Sequence, residues 1–250
     1  MSFIPAGSLA LNRNAENLAR ISLEIGAIKL RPQKPFQWAS GYMMPVYNDN
    51  RMLLGKSEHR KLISDGFYEI IQAYNILPDF IAGTSTAGIP HATTLADRMK
   101  LPLVYVRDKP KEHGMRNRIE GIDAERDLEG REGLLIEDLV STGGSSVSAV
   151  QALRDANGNL NTCLSIFSYG FKEAEEMFAG NRPYDKEENE LNTPCGIISL
   201  LNYDTLLRVG VETGKIKEDQ VRLLEEWRAD PWNWGANHGF PKVEKKKWVR

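Results

Sequence analysis

Residues 134–146 read Leu134-Leu135-Ile136-Glu137-Asp138-Leu139-Val140-Ser141-Thr142-Gly143-Gly144-Ser145-Ser146. An apolar strand runs into two adjacent carboxylates, and a Ser/Thr/Gly turn then opens a helix near 145–156. In open α/β sheets, ligands bind outside the carboxyl ends of the strands. Glycines let the backbone approach an anion closely, and the free amides at a helix start favour a phosphate. Ser141, Thr142 and Ser145 add hydroxyl donors. Glu137 and Asp138 are poor partners for a phosphate but readily accept hydrogen bonds from sugar hydroxyls. The combination predicts a grip on a ribose 5-phosphate. An ordinary serine-capped strand-to-helix turn accounts for the glycines alone, but not for the paired carboxylates.

Outward from this turn the chain alternates short apolar runs with helical patterns. Upstream, Leu62, Ile63, Phe67, Ile70, Ile71 and Tyr74 recur at helical spacing within 56–75. Asp79-Phe80-Ile81-Ala82-Gly83 is a short run followed by a helical stretch over 88–99, and Leu103-Val104-Tyr105-Val106 precedes a charged loop over 107–132. Downstream, Asn157-Gly158 suits a helix stop before Thr162-Cys163-Leu164-Ser165-Ile166-Phe167. Continuous apolar runs separated by helices imply an open, mostly parallel sheet with helices on both faces. This α/β core is expected over about 56–180. The flanks, about 1–50 and 185–235, are expected to pack on it as a small cap within a single domain. Residues 240–250 read as a solvated basic tail.

The bulk figures fit an ordinary globular protein. Of 250 residues, 41% are hydrophobic and 26% charged, and the net charge is −2. A pI near 6.1 argues against a dedicated nucleic-acid binder. Cys163 and Cys195 form no CxxC and have no histidine cluster beside them, which gives no metal signature and fits a reducing cytoplasm. No apolar run approaches a membrane span, and the N-terminus lacks a signal-peptide pattern. Gly83-Thr84-Ser85-Thr86-Ala87-Gly88 is followed by Ile89 rather than the Lys-Ser/Thr of a Walker A loop, and no GxGxxG occurs. His59, His91 and His238 read as structural.

Glu137 to Ser145 resembles the phosphoribosyl-pyrophosphate (PRPP) motif of the type I phosphoribosyltransferases. Two further segments are similar to the orotate phosphoribosyltransferases within that family. Arg107-Asp108-Lys109-Pro110-Lys111-Glu112-His113-Gly114-Met115-Arg116-Asn117-Arg118-Ile119-Glu120-Gly121 has their Arg…Lys…His-Gly loop ending in Ile-Glu-Gly. Bottom-up, its focus of positive charge suits a polyanion. Trp38-Ala39-Ser40-Gly41-Tyr42-Met43-Met44-Pro45-Val46-Tyr47-Asn48-Asp49-Asn50-Arg51 looks like their Ser-Gly…Pro-x-Tyr…Asn-Arg stretch over the base pocket. Its aromatic faces and guanidinium suit a planar anionic ring, although Trp38 and Tyr42 fit cap packing equally well.

The resemblance implies transfer of ribose 5-phosphate from PRPP to orotate, giving orotidine 5′-monophosphate and pyrophosphate in de novo pyrimidine synthesis. It assigns pyrophosphate contact, and with it catalysis, to Arg107, Lys111 and His113. Glu137 and Asp138 would take the ribose. Leu139, Val140, Ser141, Thr142, Gly143, Gly144 and Ser145 would line the PRPP 5′-phosphate, with Ser141 also touching orotate. Mg²⁺ would bind through substrate oxygens, without a protein metal site. The 107–121 loop would act on the neighbouring subunit's site in a cytoplasmic homodimer. The 83–88 turn could hold pyrophosphate. The chain departs from the pattern at Asp108, where many relatives have Lys and where Lys109 is the substitute. It departs again at Ala39 and Tyr169, where some relatives have a basic residue for the orotate carboxylate, which leaves Arg51 as a candidate. A purine-specific transferase and a PRPP-sensing regulator are the alternatives. The regulator lacks a helix-turn-helix, and the length leaves no room for a fused decarboxylase.

Overall fold

A computed structural model describes residues 9–38, 40–108, 118–121, 128–185 and 187–241, with residues 9–12 described for backbone only. In chain order the N-terminal flank holds α1 (Leu9–Glu24), β1 (Ile28–Leu30), β2 (Phe36–Gln37), β3 (Met43–Met44), β4 (Val46–Asn48) and a 3-10 turn (Asn50–Gly55). The central region follows with α2 (Ser57–Ala73), β5 (Phe80–Thr84), α3 (Gly88–Met99), β6 (Leu103–Val106), β7 (Ile119–Glu120), β8 (Glu132–Val140), α4 (Gly144–Asp155), β9 (Asn159–Ser168) and α5 (Lys172–Phe178). The chain continues through β10 (Gly196–Asn202), α6 (Tyr203–Glu212), α7 (Glu218–Ala229) and α8 (Pro231–Asn237).

The main sheet has the order β10-β9-β8-β5-β6-β7, parallel throughout except for β7, which runs antiparallel on β6. Every residue of β5 is buried. That is why this strand and the middle of β8 read as unbroken apolar runs rather than alternating ones. Side-chain alternation divides the interior in two. Ile81, Leu134 and Ile136 pack with Phe67, Ala92 and Leu95 of α2 and α3. Phe80, Ala82 and Leu135 pack with Val147, Val150 and Leu153 of α4. Helices therefore cover both faces, as the periodicity predicts.

Three boundaries differ from the sequence reading. Strand β8 continues past Glu137 to Val140, so the two carboxylates sit within the strand rather than at its end. Residues 119–120, expected as loop, pair with β6 because Tyr105 and Val106 offer a free edge. Residues 196–202, grouped with the cap, instead form the edge strand β10, parallel to β9. The stop at Asn157-Gly158 holds: Asn157 adopts φ +61 directly after α4.

The cap forms as two small antiparallel pairs, β1–β4 and β2–β3. They are fastened to the C-terminal helices by aromatic packing. Trp227 is fully buried and meets Tyr169 and Phe171 edge-on, each at 5.3 Å between ring centres. Trp38 lies 6.0 Å from Tyr169, and its Nε1 donates to the Val46 carbonyl at 2.8 Å. Trp38 and Tyr169 are thus packing residues. Among the described residues, no helix is long and apolar enough to cross a membrane.

Candidate active site

A cleft of about 390 Å³ opens at the carboxyl ends of β5, β6 and β8. Its walls come from three turns that the sheet brings together: Thr84 to Ala87 after β5, Arg107 and Asp108 after β6, and Glu137 to Leu139 with Ser145 at the end of β8. Asn48 and Arg51 close it from the cap side, and Arg118 and Ala149 from the α4 side. A larger groove of about 560 Å³ lies between α6 and α7. Its charges answer one another, as in the Arg208–Glu212 pair at 2.7 Å, and no phosphate-type turn borders it.

Glu137 is 7% exposed, and hydrogen-bond donors hold both of its oxygens. Thr84 Oγ1 on β5 donates to Oε1 at 2.7 Å, and Ser146 Oγ on α4 donates to Oε2 at 2.9 Å. The Asp138 amide adds a third donor at 3.0 Å to Oε1. Burial pushes the Glu137 pKa up to about 8 against these donors, and the neighbouring Asp138 carboxylate pushes the same way. Asp138 is raised too, chiefly by burial, with Arg51 pulling it back. Two carboxylates this close cannot both ionise freely and titrate as a pair. The backbone beneath Asp138 is fixed from the cap, because Asn50 Nδ2 donates to its carbonyl at 2.7 Å.

The phosphate turn follows directly. Gly143 adopts φ +91 immediately before α4, a left-handed conformation that side chains resist. Ser145 is exposed into the cleft, whereas Ser141, Thr142 and Gly144 are half-buried. The Val140 side chain points into the core beneath α4, leaving only its backbone for a ligand. Opposite, Gly88 starts α3 against β8. A Cβ there would lie 2.5 Å from the Ile136 carbonyl oxygen, so the close approach of the two elements requires glycine. The Ser85–Thr86 peptide in this turn is cis.

Arg107 lines the cleft, with Nη1 3.5 Å from Glu120 Oε1. Lys109, Lys111 and His113 lie outside the described residues, as does Ala39. Arg51 is mostly exposed and paired with Asp49 at 2.6 Å. His91 is buried inside α3, where burial and Arg60 lower its pKa to about 4, and neither it nor His59 or His238 borders the cleft. Both thiols are buried, and burial pushes Cys195 up to about 12. Ser146 and Arg118 escaped assignment from sequence, whereas Thr84 was read within the 83–88 turn as a pyrophosphate contact and not as a donor to Glu137. Arg118 carried a signal as the cation directly before Ile-Glu-Gly.

Hard oxygen ligands suit Mg²⁺. Asp138 offers a carboxylate in the cleft, and the described residues contain no group of three or more acids, histidines or cysteines able to cage a metal. This donor set fits an ion shared with substrate oxygens.

Paired strand-end carboxylates, a Gly-Gly turn at a helix start and an opposing Thr-Ser-Thr turn, on a parallel sheet, define a phosphoribosyltransferase. A family model described as the phosphoribosyl transferase domain matches residues 54–177. The chain is 42% identical over 212 residues to the orotate phosphoribosyltransferase of Cytophaga hutchinsonii, covering 85% of this chain and 94% of that one. It is 42% identical over 215 residues to that of Bacillus subtilis, covering 86% and 92%. Among solved structures, the orotate phosphoribosyltransferase of Aeropyrum pernix superposes with a TM-score of 0.60 at 25% identity, over 79% of this chain and 98% of that one. This chain belongs to the orotate phosphoribosyltransferase family.

Proposed function

We propose that the cleft transfers the ribose 5-phosphate of PRPP to orotate, giving orotidine 5′-monophosphate and pyrophosphate, the phosphoribosyl step of pyrimidine synthesis. The observation that carries this reading is the meeting of three turns in one cleft, with acids in the middle and anion-binding turns on either side. In the reaction the bond from the ribose C1 to the pyrophosphate oxygen breaks, and a bond from C1 to orotate N1 forms. The N1 proton passes to the departing pyrophosphate or to water. The transition state is loose and cationic at the sugar, while negative charge grows on the leaving group. The protein supplies no covalent nucleophile; it positions the reactants and stabilises charge.

In this reading Asp138, with Glu137 behind it, accepts from the ribose hydroxyls. The turn from Leu139 and Val140, through their backbone, to Ser141, Thr142, Gly143, Gly144 and Ser145 takes the 5′-phosphate, and Ser141 also reaches orotate. Arg107, Lys111 and His113 meet the pyrophosphate, aided by the 83–88 turn. Mg²⁺, when bound, offsets the charge of the pyrophosphate. The 107–121 loop works on the neighbouring subunit's site, which makes a homodimer the functional unit, and the single-domain chain works in the cytoplasm. The test is pyrophosphate release from PRPP and Mg²⁺ with orotate, uracil or hypoxanthine. Release with orotate alone is expected. Release with hypoxanthine alone would overturn the base assignment, and silence with every base would overturn the activity.

A further inference from the structure

Strands β6 and β7 end on two arginines that face each other. The Arg107 amide donates to the Arg118 carbonyl at 2.8 Å, and Arg118 Nε returns a bond to the Arg107 carbonyl at 3.1 Å. Like charges opposite one another on neighbouring strands are destabilising unless something neutralises them. Arg107 has Glu120 at 3.5 Å. Arg118 has no carboxylate partner among the described residues. Its Nη1 binds Ser148 on α4, the hydroxyl at 3.1 Å and the carbonyl at 3.5 Å.

This guanidinium is therefore oriented by neutral oxygens, with its charge unspent, and it lines the cleft beside Ser145 and Arg107. A guanidinium carries five donors in a rigid fork suited to phosphate oxygens, and no acceptor. Three neutral contacts fix Nε and Nη1 and leave Nη2 without a hydrogen bond among the described residues. A cation fixed in advance at the wall of a sugar-phosphate cleft loses little freedom when an anion arrives.

We propose that Arg118 is a substrate-binding residue that takes a phosphate oxyanion of PRPP. The inference rests on the PRPP reading above. It adds a cation that the Arg107, Lys111 and His113 set does not include, and it makes Ser148 a positioning residue acting through Arg118.

Calorimetry on the full chain with PRPP, ribose 5-phosphate and pyrophosphate as separate probes tests it, on wild type, Arg118→Gln, Arg118→Lys and Ser148→Ala. A charge-assisted contact of this kind sets the expected loss of PRPP affinity in Arg118→Gln at roughly ten- to hundredfold. Arg118→Lys should recover part of it, and Ser148→Ala should lose only a few-fold. Whichever fragment loses affinity in parallel identifies the phosphate: ribose 5-phosphate for the 5′ end, pyrophosphate for the leaving group. Affinities within about twofold of wild type for all three probes would overturn the inference. So would a loss that tracks a lowered denaturation midpoint without rescue by lysine. Wild type that binds PRPP but releases no pyrophosphate with orotate would instead count against the activity, leaving the Arg118 arm readable.

Discussion

Replacing Glu137 by Gln separates the fold's interest in this side chain from the substrate's. The carboxyl is almost fully buried under Thr84 and Ser146, and burial moves its pKa from 4.5 in the unfolded chain to about 8. The unfolded chain therefore loses this proton near pH 4.5, while the folded protein keeps it to about pH 8. Between those limits the folded state binds more protons, so wild-type stability is full below pH 4.5 and falls as pH rises through 8. At 1.36 kcal/mol per pH unit the cost of the buried charge approaches roughly 5 kcal/mol above pH 8. That cost is already net of the bonds from Thr84 and Ser146, which pull the pKa down against burial. Gln keeps an acceptor for Thr84, presents an N–H to Ser146 Oγ, and does not titrate. Urea midpoints of the substrate-free protein at pH 4.5, 6.5 and 8.5 are the assay. The variant should be level with or below wild type at pH 4.5 and gain on it steadily, by roughly 2–5 kcal/mol at pH 8.5. It should also bind PRPP more weakly, the usual exchange of function for stability. A stability difference that stays constant across the three pH values would refute the reasoning.

Other perturbations follow from the same geometry and, for Lys111, from the sequence motif alone. Asp138→Asn should leave the urea midpoint nearly unchanged while weakening PRPP binding roughly ten- to hundredfold, and unchanged affinity by calorimetry would remove the ribose contact. Gly88→Ala places a methyl 2.5 Å from the Ile136 carbonyl and should cost about 1–3 kcal/mol, read as a lower midpoint. Lys111→Ala should lower turnover about 10²–10³-fold at a normal midpoint. Mixing that variant with a Gly143→Ala chain should restore activity if the loop acts in trans, and subunit exchange without recovery would count against it.

The central sheet and its phosphate turn were readable because they obey local rules. Helix α3 spans 88–99 as its periodicity predicts, and the buried run of β5 marks a covered parallel strand. What local rules miss is pairing supplied by distant partners. Strand β7 is two residues long and exists only against the β6 edge. Strand β10 carried four apolar residues, Ile197, Ile198, Leu200 and Leu201, on either side of Ser199, but the polar stretch before it resembled the flank rather than the sheet. The end of β8 was misplaced because two acids normally stop a buried strand. Here hydroxyls 53 and 9 residues away from Glu137 supply the donors that let it continue. Tyr169 shows the opposite limit. Its position next to the fourth apolar run could be compared with basic residues of relatives, but its burial among Trp38, Phe171 and Trp227 could not be read from spacing.

The paired acids also pose an electrostatic problem, because PRPP is itself a strong polyanion. Two fully ionised carboxylates in the middle of the cleft would repel the molecule they are meant to hold. Burial raises both acids, and the neighbouring Asp138 raises Glu137 further, so the pair takes on its second negative charge less readily than two free carboxylates would. The remaining charge balance is set by the rim, where Arg51, Arg107 and Arg118 face Asp108. Acids at the centre and arginines at the edge favour one orientation of a sugar phosphate. In the binding mode proposed above, its hydroxyls would turn toward Asp138, and its anionic groups toward the arginines and the free amides of the turns. The proton that burial keeps on Glu137 thus serves the fold and the ligand together. It lowers the cost of burying Glu137 between β5 and α4, and it lowers the barrier that a polyanion meets on entering.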